Sequence, residues 1–394
     1  MSETGVVETE ALTAEELVAA VRGLAPAFRE SATAAEEARA LPPESAAALL
    51  DSGIARALVP RRWGGAELGL DAWFEIVHEV SKADASHGWC AGLLVHLPHF
   101  VALFPEEGQA AVWAGGPNVA IAGSVLPVCE VTPENGGYRV SGKSPFSSGV
   151  EHSSWVFVGG MVPGDGPPQW TFFLIPPGEY EVIDTWHTTG MRATGSNTIV
   201  TEDAFVPAGR VLALSDLVEG TAPGGAIHDN PMYRLPFMSF APVGFAATML
   251  GAARGAYEEF RTWTSKRRTA DGSAVAEIAS VQVRMSKAAA DLDAAELLLR
   301  RAVAATQGPE RPSLEGRART MRDAARAAET IAGAVDELVA MSGTAGFASS
   351  NPIQRAWRDV HFAASHVSLN PEVNCAHWGR TELGVERPPT LLMY

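Results

Sequence analysis

The sequence predicts an α+β protein. An N-terminal helical domain (residues 1–116) precedes a small β domain (117–214) and a C-terminal helical bundle (215–394). Three observations carry this. Apolar residues recur at helical spacing up to about residue 114 and again beyond about residue 236. Between these stretches the chain changes to short β-rich runs separated by turn signals. The length of 394 residues, with 46% hydrophobic and 19% charged side chains, suffices for a large core.

The elements follow in order. Thr13 and Glu16 form a Thr-x-x-Glu capping box ahead of a run rich in Ala, Leu and Val. Pro42 and Pro43 open a second helix and Gly53 closes it. Residues 55–69, with Pro60, Gly64, Gly65 and Gly69, read as a loop. Residues 70–114 are helical, with Trp73, Ile76, Val77 and Val80 on one face. Strands are expected at 119–125, 138–141, 155–162, 170–175 and 198–205, with turns at Asn135-Gly136-Gly137, at 163–166 and at 176–178. Residues 215–236 read as loop. Val275, Ile278, Met285, Leu292, Ala295, Leu299 and Val303 then form one long apolar stripe. Pro309 and Pro312 mark a break before a helix over 313–341. Asn351-Pro352 starts another that reaches Leu369.

The bulk properties exclude several classes. A formal net charge of −16 leaves no broad basic face for nucleic acid. Cys90, Cys129 and Cys375 match no zinc spacing, and their odd number argues against a disulfide framework, so a reducing cytoplasm is expected. Met1–Glu10 is acidic and lacks the pattern of a signal peptide. No apolar run is long enough to span a membrane; the most apolar window, Ala91–Phe104, is broken by His96, Pro98 and His99.

Three segments carry a resemblance. The first is Gly137–Gly149 (GYRVSGKSPFSSG) followed by WVFVG from Trp155. The second is Trp186–Asn197 (WHTTGMRATGSN) followed by DAFVP from Asp203. The third is Pro352–Asp359 (PIQRAWRD) followed by His361 and His366. Together they resemble the acyl-CoA dehydrogenase superfamily, and within it the monooxygenase branch: the oxygenase components of two-component aromatic hydroxylases. The resemblance spans about residues 13–384 and implies that fold, with the middle third as a β-barrel-like domain.

The residues suit a flavin. Its ring needs hydrogen-bond donors at the polar edge and an apolar wall against its faces. Ser147, Ser148 and Gly149 offer hydroxyls and a close backbone, and the resemblance puts Ser148 near flavin N5, as a catalytic as well as a cofactor-binding residue. It lays the 186–196 loop on the flavin too, making Trp186, Thr188, Arg192, Thr194 and Ser196 candidates. The plainer reading of such hydroxyls is that they satisfy loop backbone. A flavin phosphate needs cations. Arg261, Lys266, Arg267 and Arg268 cluster at a helix end, where the family uses an arginine; Arg267 is the candidate there, and Arg358 is a further cofactor-binding candidate. A solvated helix end is the alternative.

The departure from the dehydrogenases lies near the C-terminus. Those enzymes need a carboxylate base, often about two helical turns beyond an Arg-Asp pair in a Tyr-Glu-Gly-Thr-like context. Here Arg358-Asp359 is followed by His366, within Ala-Ser-His-Val-Ser-Leu-Asn. In the hydroxylases a histidine at this place faces the substrate, and an imidazole can accept a phenol or indole proton near neutral pH. A packed core histidine is the plainer reading. In the N-terminal domain Trp89, His96 and His99 are substrate-pocket candidates, and the comparison falls between the two histidines. Ser124 is another. Metal binding by His96 and His99 is not expected, because Pro98 should break the helix that would present both rings.

The leading reading is therefore an oxygenase. It uses FADH2 or FMNH2 and O2, without a metal, and hydroxylates a phenol, naphthol or indole-type ring through a flavin C4a-hydroperoxide. No Gly-x-Gly-x-x-Gly follows a strand, so a separate NAD(P)H-dependent flavin reductase is implied. A homodimer or homotetramer is expected, with the flavin near a subunit interface. The alternatives are an acyl-CoA dehydrogenase, distinguished by its base, and a non-catalytic flavin or ligand carrier.

Overall fold

The computed structural model describes residues 12–386; the acidic Met1–Glu10 segment lies outside them. Helix α1 (Ala14–Ala38) starts at the expected capping box: Thr13 Oγ1 accepts from Glu16 N at 3.2 Å, and Glu16 Oε2 accepts from Thr13 N at 2.9 Å. Then come α2 (Pro43–Asp51), α3 (Leu70–Ser81), α4 (Ala85–Val101) and α5 (Glu106–Val112). Helix α4 is buried almost all round, because it lies between α3 and α7 and also faces the β domain. It runs straight through Pro98 to Val101. The expected break does not occur: Pro98 sits in the last turn, where one lost hydrogen bond is offset by packing of the flanking His96 and His99 rings against Trp73, Tyr233 and Phe240.

The strands are β1 (Ile121–Glu134), β2 (Gly137–Ser147), β3 (Trp155–Val162), β4 (Gln169–Ile175), β5 (Glu181–Ile183), β6 (Asn197–Pro207) and β7 (Val211–Ala213). They form one sheet of order β5-β6-β2-β1-β3-β4-β7. β1 is far longer than the sequence suggested and belongs to both halves. It pairs antiparallel with β2 near Glu130 and parallel with β3 near Ala122, with register shifts around Pro127 between them. The sheet thus folds about β1, and Val140, Val158, Phe173, Ile199 and Val206 share one core. This is the barrel-like shape expected, left open between edge strands β5 and β7.

The C-terminal helices are α6 (Leu214–Glu219), α7 (Ala241–Thr264), α8 (Ala279–Ala304), α9 (Leu314–Ser342), α10 (Pro352–Ala364) and α11 (Pro371–Glu382). Residues 215–236 are not plain loop: all but the first residue of α6 and two 3-10 turns lie within them. The C-terminal part of the apolar stripe is satisfied within the protomer, since Leu292, Ala295, Leu299 and Val303 of α8 are buried against α7 and α9. α10 stops at Ala364, five residues before the expected end. His366 instead caps a separate 3-10 turn, Val367–Leu369. No helix among the described residues is long and apolar enough to cross a membrane.

Candidate active site

The three regions meet around a cavity of about 450 Å³. α4 supplies Trp89 and His96, β1 supplies Ser124, and the β2 end supplies Phe146 and Ser148. The 186–196 loop adds Trp186, Met191, Thr194 and Ser196. Phe245 of α7, Phe362 of α10 and His366 close it. Most of this wall is apolar, with Phe and Trp rings prominent in it, and among the described residues no aspartate or glutamate lines it.

A row of hydroxyls crosses one wall, and its polarity follows from the end groups. Trp89 Nε1 can only donate, and it donates to Ser148 Oγ at 3.1 Å. At the other end Thr194 Oγ1 donates to the Met191 carbonyl at 2.8 Å. The contacts between are Ser148 Oγ–Ser196 Oγ at 2.7 Å and Ser196 Oγ–Thr194 Oγ1 at 2.6 Å. Each proton therefore points from Trp89 toward Met191, and each hydroxyl keeps a lone pair for a ligand. Ser124 differs: it is 3% exposed, and its Oγ has no partner. An orphaned hydroxyl on a cavity wall is a ready contact for a polar group that enters.

His366 sits among rings, 4.0 Å from Phe245 and 5.6 Å from Trp89 between centroids. Burial pushes its imidazole down to about 4, so it is neutral near pH 7. Its Nδ1 lies 2.6 Å from Ser368 Oγ and accepts from Ser368 N at 3.3 Å. A backbone amide can only donate, so the resting tautomer carries its hydrogen on Nε2. The ring first presents a donor to the cavity. It can take a proton at Nε2 once Nδ1–H donates to the Ser368 hydroxyl instead.

His96 and His99 resolve differently. Their rings are stacked with centroids 6.1 Å apart, but only His96 lines the cavity. His99 lies behind it, against Tyr233, with Nε2 3.4 Å from the Met232 carbonyl. Burial pushes His96 down to about 3 and His99 to about 4. No group of three or more His, Cys, Asp or Glu among the described residues is placed to hold a metal ion.

Several expected contacts point elsewhere. Ser147 is fully buried, and its hydroxyl donates to Ser144 O at 3.4 Å. Consecutive strand residues face opposite ways, so only Ser148 reaches the cavity. Thr188 Oγ1 donates to Gly190 O at 2.9 Å. Arg192 donates to Glu36 O and Thr188 O. Arg358 pairs with Glu36 at 2.5 Å and donates to Thr189 O at 2.6 Å. Arg267 stacks on Trp263, 4.1 Å from the ring centroid, and donates to Met341 O. None of these five lines the cavity. Thr188, Arg192 and Arg358 shape the 186–196 loop, whereas Arg267 is on the chain beyond α7.

Two residues were not singled out from the sequence. Phe146 is 62% exposed at the cavity mouth and adopts φ +65°, a left-handed conformation that a bulky residue rarely holds. Its ring meets Trp186 edge-on at 6.2 Å. Asp359 lies outside the cavity but accepts from the Met191 amide at 2.6 Å. Gly190 permits this approach: a Cβ there would sit 2.5 Å from Arg358 O. Both signals were present inside the quoted segments, as the Phe before the Ser pair and the Asp of the Arg-Asp pair.

Comparison with known proteins follows this geometry. Residues 243–371 match the family described as acyl-CoA dehydrogenase, C-terminal domain. The chain is 36% identical over 388 residues to the oxygenase subunit HsaA, a flavin-dependent monooxygenase of Mycobacterium tuberculosis, covering 96% of this chain and 98% of that one. It is 37% identical over 386 residues to the oxygenase component of an FADH2-dependent resorcinol hydroxylase from a Rhizobium species, covering 94% of each. The crystal structure of 3-HSA hydroxylase from Rhodococcus sp. RHA1 superposes with a TM-score of 0.91 at 33% identity, covering 96% of this chain and 99% of that chain.

Proposed function

This chain belongs to the flavin-dependent monooxygenases built on the acyl-CoA dehydrogenase fold, as an oxygenase component, and from that premise we propose that it hydroxylates an aromatic ring bearing an oxygen or nitrogen. Reduced flavin, FADH2 or FMNH2, comes from a separate NAD(P)H-dependent reductase, and dioxygen is the co-substrate. The observation that carries this reading is the cavity wall itself: it holds a neutral imidazole, His366, and, among the described residues, no carboxylate. An acyl-CoA dehydrogenase would need a carboxylate there to remove an α-proton.

The residues fit a flavin ring. Phe146 and Trp186 supply an aromatic wall, the Ser148–Ser196–Thr194 row supplies lone pairs and hydroxyls, and Ser124 has an unused hydroxyl. Bound there, reduced flavin would supply two electrons and activate dioxygen for transfer of one oxygen atom. The protein's own part is to seat, orient and dry the reactants. In its resting tautomer His366 holds the substituent of the substrate ring by a hydrogen bond from Nε2; in the other tautomer, with Nδ1–H donating to the Ser368 hydroxyl, the bare Nε2 accepts the substituent's proton. His96, buried and neutral, offers a second contact. Trp89, Phe245 and Phe362 exclude water. A cation for the flavin phosphate comes from outside the cavity wall, with Arg267 the candidate.

The test is an assay with a generic flavin reductase, NADH and a panel of phenols, naphthols and indole, read by mass for one added oxygen. Reduction of a dye by any acyl-CoA thioester, with no hydroxylation across the panel, would overturn the reading.

A further inference from the structure

A second cavity of about 220 Å³ lies behind the Ser148-Gly149 turn. Its walls are Leu41, Leu49 and Leu50 around α2, Leu93 and Leu94 of α4, and Ile121 of β1. It shares Leu93 and Ser148 with the main cavity, so these two residues form the partition. Pro43 and Ala47, both exposed, stand at its outer rim.

The polar side chains around this slot each have a partner within the protein. A ring nitrogen of His152 lies 2.9 Å from Leu41 O, the Ser153 hydroxyl donates to Gly149 O at 3.0 Å, and the Ser148 proton is committed to Ser196. Burial pushes the Cys90 thiol up to about 12, so it stays a neutral, weakly polar group. None of the buried polar atoms left without a partner belongs to a residue of this wall. Most of the remaining wall is aliphatic, so the slot offers little to a polar or charged molecule. What it suits is a small apolar one.

We propose that this slot admits dioxygen to the catalytic cavity through the partition formed by Leu93 and Ser148. The proposal rests on the oxygenase reading above. The main cavity opens past Phe146 and Val367, which are 62% and 63% exposed. Flavin and an aromatic substrate enter there and fill the opening, so dioxygen that reacts with the bound flavin needs a way in of its own. The slot ends at the Ser148 hydroxyl, beside the region assigned to the reactive edge of the flavin. Dioxygen moves through it without any bond being made or broken.

Two variants narrow the rim: Ala47→Trp from the exposed side of α2, and Ala46→Phe, one residue away, in case the first perturbs folding. Wild-type and variant crystals are pressurised with xenon, an apolar probe that enters dry cavities. The same proteins, loaded with reduced flavin, are mixed with dioxygen at several concentrations in a stopped-flow instrument. Xenon is expected in the slot of the wild type and absent from it in the variants. The second-order rate constant for dioxygen should fall roughly tenfold, equivalent to ~1.4 kcal/mol in the barrier, with reduced-flavin affinity unchanged. Lack of xenon in the wild-type slot overturns the proposal, as does a variant that excludes xenon yet reacts with dioxygen at the wild-type rate. Failure of the oxygenase reading would look different: the wild type itself would form no hydroxylated product.

Discussion

The Met191 amide donates to Asp359 Oδ1 at 2.6 Å, and through this bond helix α10 sets the shape of the cavity wall. Met191 adopts φ +52°, which costs a residue with a Cβ about 1 kcal/mol. Its carbonyl in turn accepts from Trp186 Nε1 at 2.9 Å and from Thr194 Oγ1 at 2.8 Å. One carboxylate thus fixes the point at which the indole and the hydroxyl row are both anchored.

Asp359→Asn keeps an acceptor for the Met191 amide, whereas Asp359→Ala leaves that amide buried and unpaired. The alanine variant should lose about 2 kcal/mol of stability and bind reduced flavin more weakly. The asparagine variant should stay within about 1 kcal/mol of wild type. Melting curves and a flavin titration check this. Equal behaviour of the two variants would show that Asp359 is not the anchor.

Acid should destabilise the protein in a defined window. Burial lowers His78, His99 and His366 to about 4 and His96 to about 3, from 6.5. Each ring favours the folded state fully above pH 6.5, and that contribution is lost as pH falls through the folded value. A shift of two units is worth about 2.7 kcal/mol. Asp359 runs the other way. Burial, with Asp84 nearby, raises it from 3.8 to about 7, so its contribution is present below 3.8 and lost as pH rises through 7. Four rings outweigh one carboxyl, and the melting temperature should drop between pH 6.5 and 4. A flat or rising profile in that window would contradict the burial of these rings.

Ser124 gives a test with opposite signs for stability and binding. Ser124→Ala removes a buried hydroxyl that has no partner, so the unliganded protein should be unchanged or gain about 1 kcal/mol. If the hydroxyl waits for a ligand, affinity for reduced flavin or for substrate should fall about tenfold. Calorimetric titration of both ligands decides it; two unaltered affinities would leave Ser124 without a ligand role.

The three-part architecture was legible because each region keeps its own hydrophobic period. The position of His366 was legible from its spacing beyond Arg358-Asp359. What failed to read needed tertiary context. Ser147 and Ser148 are neighbours in sequence, and only the pleat and the left-handed Phe146 decide which one faces the cavity. Arg192 and Arg358 were candidates for the cofactor, but a guanidinium takes the first carbonyls and carboxylates within reach, here on α1 and the 186–196 loop. The exit of α10 at Ala364 was hidden, because Ser365 to Leu369 keeps an apolar spacing compatible with helix. Pro98 was read by its local rule, which the packing of α4 overrode.

Of the apolar stripe along α8, Leu292, Ala295, Leu299 and Val303 are buried within the protomer, whereas Met285 is half-buried and Ile278 exposed. Two further apolar residues, Val283 and Leu297, are 54% and 71% exposed on the same helix. We propose that they lie between copies in a homodimer or homotetramer. Leu297→Glu should shift light-scattering mass toward a smaller species at micromolar concentration. A wild type already monomeric at that concentration would refute the assembly.

The sharpest prediction separates His366 the reacting group from His366 the packed ring. Its Nδ1 is held by Ser368, and its other edge turns to the cavity among Trp89 and Phe245. If the imidazole orients the substrate and handles its proton, His366→Ala should leave the fold and reduced-flavin binding nearly intact. Hydroxylation should fall by roughly 10²- to 10⁴-fold, the usual worth of a positioned acid–base group. NADH and dioxygen would still be consumed, but would yield hydrogen peroxide instead of product. If the ring only packs, the same change should cost about 1–3 kcal/mol of stability, while the folded fraction hydroxylates at a near-normal rate. His366→Gln sharpens the distinction, since it restores a hydrogen-bonding group but cannot take up a proton near neutral pH. It should recover substrate affinity without recovering turnover. Product yield per NADH, a peroxide assay and a melting curve on the two variants decide between the roles. Full coupling of NADH to product in His366→Ala would place the proton acceptor at another residue, with His96 the next group on the same wall.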